Sequence, residues 1–349
     1  MKRKVVIAAG GSGGHLLPAQ QLALLLKSDS EVFFAGHLLS TSPFFHKEGF
    51  PFWEISSASL ASPLTFCVAA LRGIVQSVRL LCKLRPDVVV GFGSYHSFPL
   101  LAAAALLGKK IVLYEANCVL GKVNRLFAPR ARIVAHQFPL AFWGKSSKRI
   151  VPYFPWIAPR ISYTKGEARK CYDLDPDAPV CLVFGGSQGA QFLNQRVPEA
   201  LPLSCQVIHL TGRDDGVEGV RRDYEKRGIR AAVKGFETEM GKAYAAADFV
   251  ICRSGAGTMA ELINQEMPAL MVPFPAASDD HQTHNARFFS EVVQGGIWRA
   301  QKDLSTPELF SQAIAECVRQ ANTMKEAIGR LQKNGEKRDA LADIIREIA

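Results

Sequence analysis

The chain has 349 residues, of which 48% are hydrophobic and 21% charged, and carries a formal net charge of +10. That composition excludes an intrinsically disordered chain, and the length favours two domains, each with its own core. The positive balance points to anionic partners, a condition that nucleic acid, an acidic membrane surface and phosphorylated substrates all meet.

The amino terminus, "MKRK", is followed by only five apolar residues before a glycine cluster. A secretory leader needs a longer apolar core, so none is expected. Strands are predicted at Lys4–Ala8, Glu31–Ala35, Asp87–Gly91, Ile111–Glu115 and Arg132–Ala135. A second set follows at Val180–Phe184, Gln206–Leu210, Ala232–Gly235, Phe249–Cys252 and Ala269–Val272. Most are unbroken Val/Ile/Leu/Phe runs, the pattern of parallel strands buried on both faces. Their alternation with helix-like stretches implies a doubly wound α/β architecture. Between the two sets, Val151–Arg160 ("VPYFPWIAPR") holds three prolines and reads as a linker. The stretch from Thr306 to Ala349 is helical in period. The longest apolar run, near Phe98–Leu107, is too short to span a bilayer. The eight cysteines form no CxxC pair and read as reduced core residues of a cytosolic protein.

Two strand-to-glycine turns stand about half the chain apart: "VIAAGGSGGH", Val6–His15, and "VFGGSQGAQ", Val183–Gln191. In each, a buried strand ends and a helix begins, and free amides at a helix start favour phosphate. Ser12 and Ser187 break the dinucleotide spacing, and neither turn has the lysine of a P-loop. A third turn, Arg253–Ile263, does satisfy G-x-G-x-x-A through Gly255, Gly257 and Ala260. It follows a late strand of its half, so it reads as a diphosphate cradle with Arg253 near the charge. Glu261, one turn into the helix, could hold ribose hydroxyls. "DLDPD", Asp173–Asp177, reads as a turn in preference to a metal-binding acidic pair.

Six motifs in order, "GGSGGHLLPA", "GFGSYHSFP", "YEANCVLGKVNRLFA", "VFGGSQGAQFLNQRVP", "CRSGAGTMAE" and "PFPAASDDHQTHNA", cover roughly residues 4 to 300. Together they resemble the MurG family, the bacterial UDP-N-acetylglucosamine–N-acetylmuramyl-(pentapeptide) pyrophosphoryl-undecaprenol N-acetylglucosamine transferases. The resemblance implies a GT-B fold, two Rossmann-like doubly wound parallel-sheet domains facing a cleft. Domains are expected at 1–155, for a lipid-linked acceptor and the membrane, and at 156–349, for UDP-sugar, with the terminal helix packing back on the first domain.

The resemblance also implies roles. His15 lies beside the reacting centre as general base, with Glu115 as the alternative. Ser12, Gly13 and Gly14 are implied donor contacts, as are Asn117, Ser187, Glu237, Arg253, Ala256, Gly257, Thr258, Met259, Ala260, Glu261 and Gln282. The backbone near Phe236 and Glu237 is expected to meet the uracil edge, and Gln282 the sugar hydroxyls. Acceptor contacts fall on Gly11, Gly13, Gly14 and Tyr95. Tyr114 and Ala116 depart from the family's usual "HEQN". Phe154 and Ile157 replace the Asn and Arg of its linker "GNPVR", leaving Arg160 as a substitute.

The implied reaction transfers N-acetylglucosamine with inversion from UDP to the C4 hydroxyl of lipid-linked N-acetylmuramoyl pentapeptide. No metal ligand is assigned and no cofactor is expected; dependence on a divalent metal stays open. Leu64–Arg85 interleaves apolar residues with Arg72, Arg79 and Lys83 and has no acid. Such a segment can lie on an anionic inner-membrane surface or pack one face into a core. The expected partners are UDP-N-acetylglucosamine, the undecaprenyl-linked acceptor, anionic lipid and other cell-wall synthesis proteins, without nucleic acid. The expected location is peripheral, on the cytoplasmic face of the inner membrane. Three other readings compete: a GT-B nucleotide-sugar epimerase, a non-catalytic membrane-recruiting sugar-nucleotide-binding subunit, and a dehydrogenase resting on the Gly255-x-Gly257 spacing.

Overall fold

A computed structural model describes residues 2–57, 63–140, 149–152, 163–186, 189–333 and 340–349. The chain divides into two compact units, Met1–Ile157 with Glu336–Ala349, and Ala158–Gly335.

The first unit runs β1 (Arg3–Ala8), α1 (Gly13–Leu26), β2 (Ser30–Gly36), β3 (Phe52–Glu54), α2 (Pro63–Leu84) and β4 (Val88–Gly91). It continues through α3 (Phe98–Leu106), β5 (Lys110–Glu115), α4 (Lys122–Phe127), β6 (Ile133–His136) and β7 (Arg149–Pro152). The second unit holds α5 (Lys165–Cys171), β8 (Val180–Phe184), α6 (Gln191–Ala200), β9 (Gln206–Leu210), α7 (Val217–Lys226), β10 (Ala231–Lys234) and α8 (Met240–Ala246). Then come β11 (Phe249–Cys252), α9 (Ala256–Asn264), β12 (Ala269–Met271), α10 (His281–Arg287), β13 (Gly296–Trp298) and α11 (Pro307–Lys333). The last helix, α12 (Ala340–Ile348), belongs to the first unit.

Both sheets are parallel throughout, in the orders β3-β2-β1-β4-β5-β6-β7 and β10-β9-β8-β11-β12-β13. The strand order reverses beside β1 in one sheet and beside β8 in the other. Ligands of open α/β sheets bind at this reversal, outside the carboxyl ends of the strands. Both glycine turns of the sequence sit there, at the ends of β1 and β8. The third turn, after β11, lies on the other side of the second reversal.

The central strands are apolar on both faces: Val5, Val6 and Ile7 in β1, and Cys181, Leu182 and Val183 in β8, are wholly inaccessible to solvent. Three strands were not predicted. β3 is three residues long and part-exposed, and β13 ("GIW") opens on a glycine; each is too short to show a period. β7 overlaps the proline-rich stretch, and Pro152 is tolerated because β7 is an edge strand. The linker reading therefore loses Val151 and Pro152 to the sheet; Phe154, Ile157 and Arg160 lie outside the described residues.

Helix α12 buries Leu341, Ala342, Ile344 and Ile345. Its Arg346 donates to Asp29 Oδ2 at 2.6 Å and to Leu25 O at 2.8 Å, at the end of α1. Lys110 Nζ reaches Ile348 O at 2.5 Å. Among the cysteines, Cys118, Cys181, Cys205, Cys252 and Cys317 are core residues, whereas Cys67, Cys82 and Cys171 are exposed, which corrects the core reading for these three.

Candidate active site

In the first unit, β1 ends and the chain bends through Gly10–Ser12 into α1. Gly11 has φ +86°, a left-handed conformation that a side chain rarely adopts. Gly36, at the end of β2, approaches so closely that a Cβ there would stand 1.8 Å from Ala9 O. The Ser12 carbonyl accepts from the His15 and Leu16 amides, starting α1.

A second turn follows β4, with φ +74° at Gly93 and +69° at Ser94, and carries Tyr95, His96 and Ser97 into α3. It couples directly to the first. His15 Nδ1 lies 2.8 Å from the carbonyl oxygen of Phe92, which can only accept, so Nδ1 carries the proton. In the neutral ring Nε2 is then the basic nitrogen. Tyr95 is half-buried and its carbonyl accepts from Ser57 Oγ at 2.9 Å.

Glu115 closes β5 and is buried. Its Oε1 accepts from the backbone and side-chain nitrogens of Asn117, both at 3.1 Å, and its Oε2 from Gly121 N at 2.8 Å and Asn124 Nδ2 at 3.0 Å. Four donors, three from the loop it precedes and one from α4, converge on one carboxylate. Tyr114 and Ala116 are buried, and the Tyr114 hydroxyl donates to Gln137 Oε1.

In the second unit, the turn after β8 brings Gly186 and Gly189 to φ +89° and +72°. Ser187 lies outside the described residues. A Cβ on Gly189 would stand 2.0 Å from Thr211 O, so only glycine fits against the end of β9. Asn194 Nδ2 donates to Thr211 O at 3.0 Å, leaving its Oδ1 to accept from His209 Nε2 at 3.1 Å. His209 Nδ1 then accepts from the Tyr224 hydroxyl at 2.9 Å. Burial pushes His209 down to about 3, in keeping with a neutral ring used on both nitrogens. Sequence reasoning missed this chain. Asn194, within the quoted "QFLNQ", was its one visible signal.

After β11, Arg253 is buried, with Nη1 donating to the carbonyls of Val272 and Pro273 at 2.9 Å each and Nη2 to Gln301 Oε1 at 2.9 Å. The guanidinium thus holds the loop that follows β12. Ala256, Met259 and Ala260 are buried, and a Cβ on Gly257 would meet nothing within 4 Å. The first turn of α9 therefore offers backbone on its open side, with Thr258 partly exposed.

Glu261 Oε2 accepts from the Tyr244 hydroxyl at 2.7 Å. Burial raises its carboxyl to about 7, against the lowering effect of that bond. Gln282 Oε1 accepts from Phe274 N at 2.9 Å, which fixes the amide and leaves Nε2 to donate. Glu237 is buried; burial alone would raise its carboxyl, but Lys234, the Glu239 amide and the Tyr172 hydroxyl hold it down at about 2. With its side chain so engaged and Phe236 exposed, this segment can meet a ligand only through Phe236 and the backbone. In "DLDPD", Asp175 Oδ1 accepts from the Asp177 and Ala178 amides, as in a turn.

Away from the turns, α2 buries Ala70, Ser77, Leu80 and Leu81 and packs on α3. Its other side exposes Val68 (64%), Leu71 (67%) and Val75 (44%), together with Arg72, Arg79 and Lys83. The two sequence readings of this segment each describe one face. No helix among the described residues is long and apolar enough to cross a membrane.

The glycosyltransferase family 28 N-terminal domain matches residues 5–136 and the family 28 C-terminal domain residues 180–344. The chain is 38% identical over 331 residues to a UDP-N-acetylglucosamine--N-acetylmuramyl-(pentapeptide) pyrophosphoryl-undecaprenol N-acetylglucosamine transferase of Protochlamydia amoebophila, covering 90% of this chain and 87% of that one. It is 36% identical, covering 90% of each, to the protein of the same name from Syntrophotalea carbinolica. The crystal structure of Acinetobacter baumannii MurG superposes with a TM-score of 0.78 at 27% identity over 99% of both chains. Os79 from O. sativa in complex with UDP shares the fold alone, with a TM-score of 0.76 at 14% identity over 99% of this chain and all of that one.

Proposed function

The chain belongs to glycosyltransferase family 28, and from that premise we propose that it moves N-acetylglucosamine from UDP-N-acetylglucosamine to the C4 hydroxyl of undecaprenyl-diphospho-N-acetylmuramoyl-pentapeptide, the step that yields lipid II in peptidoglycan synthesis. The observation that carries the proposal is near-complete coverage by relatives of that name, with His15 in the tautomer a base requires. None of the relatives named above is an epimerase, an adaptor or a dehydrogenase.

In this reading the first unit takes the acceptor on Gly11, Gly13 and Gly14, with Tyr95 alongside. His15 Nε2 accepts the C4 hydroxyl proton while Phe92 O steadies the opposite nitrogen. The hydroxyl oxygen attacks the anomeric carbon from the side opposite the nucleotide. The bond to phosphate breaks with its electron pair on the β-phosphate oxygen of UDP, and configuration inverts. Amides of Ala256, Gly257 and Thr258 at the start of α9 favour the departing diphosphate.

Glu261 takes the ribose hydroxyls and Gln282 Nε2 the sugar hydroxyls. Glu115, engaged by four donors, orders the Asn117–Gly121 loop in preference to acting as base. Arg253 serves by holding the β12 loop. The exposed face of α2 docks on anionic lipid, so that the enzyme works as a peripheral protein on the cytoplasmic side of the inner membrane. The direct test is transfer of labelled sugar from UDP-N-acetylglucosamine to a short-chain synthetic lipid I analogue. Label that stays in UDP-N-acetylglucosamine or appears in an epimer would overturn the assignment.

A further inference from the structure

The glycine turn after β1 rests on a pair of histidines that the reaction above does not use. A Cβ on Gly10 would stand 2.9 Å from His96 Cβ and 3.1 Å from His37 O, and one on Gly11 would stand 2.8 Å from His96 Cδ2 and 3.3 Å from His96 Nε2. The His96 imidazole edge therefore lies directly against the turn, with Nε2 toward Gly11. The His37 ring, from the loop after β2, packs beside it with centroids 5.3 Å apart and planes 31° apart.

His96 Nδ1 is buried and has no hydrogen-bond partner. Two titratable groups face the ring, His37 from the β2 loop and His15 from α1, and both would resist a charge on it. The turn after β1 contributes Gly10 and Gly11, without a charge, and among the described residues His96 forms no ion pair. Burial first, then His37 and His15, lowers this imidazole to about 4, so in the free protein it is neutral.

We propose that His96, backed by His37, is a proton-coupled positioning residue of the acceptor turn: when the acceptor's diphosphate settles on Gly10–Gly14, the imidazole takes up a proton from solvent and the resulting cation binds the phosphate charge through an N–H. The proposal rests on the reading that this turn receives the acceptor. Two negative charges beside a ring that has no counter-ion convert the least favourable place for an imidazolium into a favourable one. The neutral resting state keeps a cation out of a site that already holds His15, whose lone pair the reaction needs. A titrating ring ties acceptor binding to pH.

The test is the pH dependence of acceptor binding, with the short-chain lipid I analogue as probe. Uptake of a proton on binding raises the acceptor KM up to ~10-fold per pH unit between the free and bound titrations. Between about pH 6 and about pH 8, above the titration of His96 in the free protein, the parent acceptor KM should rise steeply while the donor KM stays level. H96Q should raise the acceptor KM at the acid end and flatten its slope. Calorimetry of acceptor binding in two buffers of different ionisation enthalpy should show proton uptake in the parent and almost none in H96Q. An equal slope and equal uptake in both would overturn the proposal.

H37Q keeps the His96 ring and removes a neighbour that opposes its charge. It should therefore take up less proton than the parent near pH 5; equal uptake would also overturn the proposal, independently of how H96Q folds. Transfer with a level acceptor KM defeats the histidine assignment alone. Failure to transfer to any acceptor defeats the activity, while proton uptake by calorimetry still reads the histidine. A slope in the donor KM instead would place the turn on the nucleotide.

Discussion

The turns at the two sheet reversals occupy the same topological place yet are chemically opposite. The first unit surrounds its glycines with imidazoles: His15, held by Phe92 O, and the His37–His96 pair. The second surrounds its turns with hydroxyls, amides and a carboxyl: Asn194 and Tyr224 around a neutral His209, Tyr244 on Glu261, and Gln282 on the Phe274 amide. The buried cation beside its third turn, Arg253, is directed at carbonyls. The fold thus supplies the same anion-favouring backbone twice, and the side chains divide the labour. In the proposed reading, groups that accept and donate protons sit on one unit, and groups that recognise hydroxyls on the other.

The largest effect should come from removing the base. H15A should lower kcat by ~10²–10⁴-fold while UDP binding by calorimetry hardly changes, because the nucleotide contacts proposed above belong to the second unit. Equal kcat for mutant and parent at saturating substrates would return the role to Glu115 and blur the contrast between the turns.

The matching experiment on the other side concerns Glu261. Glutamine keeps a hydrogen-bonding oxygen but not the charge, which accounts for about 1 kcal/mol of such a bond, so E261Q should raise the donor KM by up to about fivefold above about pH 7, where the carboxyl is ionised, and leave the acceptor KM alone. The same change should stabilise the fold. A carboxyl raised from 4.5 to about 7 binds its proton more tightly folded than unfolded. The parent therefore loses stability as pH rises from 4.5 through about 7. At ~1.4 kcal/mol per pH unit the total is ~3 kcal/mol. Denaturant melts should show E261Q gaining on the parent between pH 5 and pH 8, by about that amount at most. A constant difference across pH would mean that Glu261 is not held neutral by burial.

Much of this was legible in the sequence, and the reasons are local. β1, β8 and β11 are unbroken apolar runs because both their faces are covered, and each glycine turn announces itself where such a run stops. β3 and β13 carry three residues each, too few for any period. The direction of Arg253 was not legible: an arginine beside a phosphate-type turn reads as a ligand, and only the fold shows that the β12 carbonyls claim it. His37 and His96 were invisible for another reason. They come from different loops, and strand order alone makes them neighbours.

The smallest effect belongs to a region outside both turns. α2 shows solvent an apolar stripe, Val68, Leu71 and Val75, flanked by Arg72, Arg79 and Lys83. Each such charge near an anionic leaflet contributes ~1 kcal/mol at most, and screening over ~8 Å at physiological salt reduces it further. Replacing the three charges by glutamine should therefore weaken flotation with anionic vesicles modestly at physiological salt and clearly at low salt. Turnover of the short-chain acceptor should survive, since neither turn is touched, while turnover of full-length lipid in vesicles should fall. L71Q tests the apolar part separately: its loss of vesicle binding should persist at high salt, where the charge effect fades. Undiminished flotation of both variants would move the docking surface off α2. It would also leave the stripe's exposed leucine and valines without a membrane role.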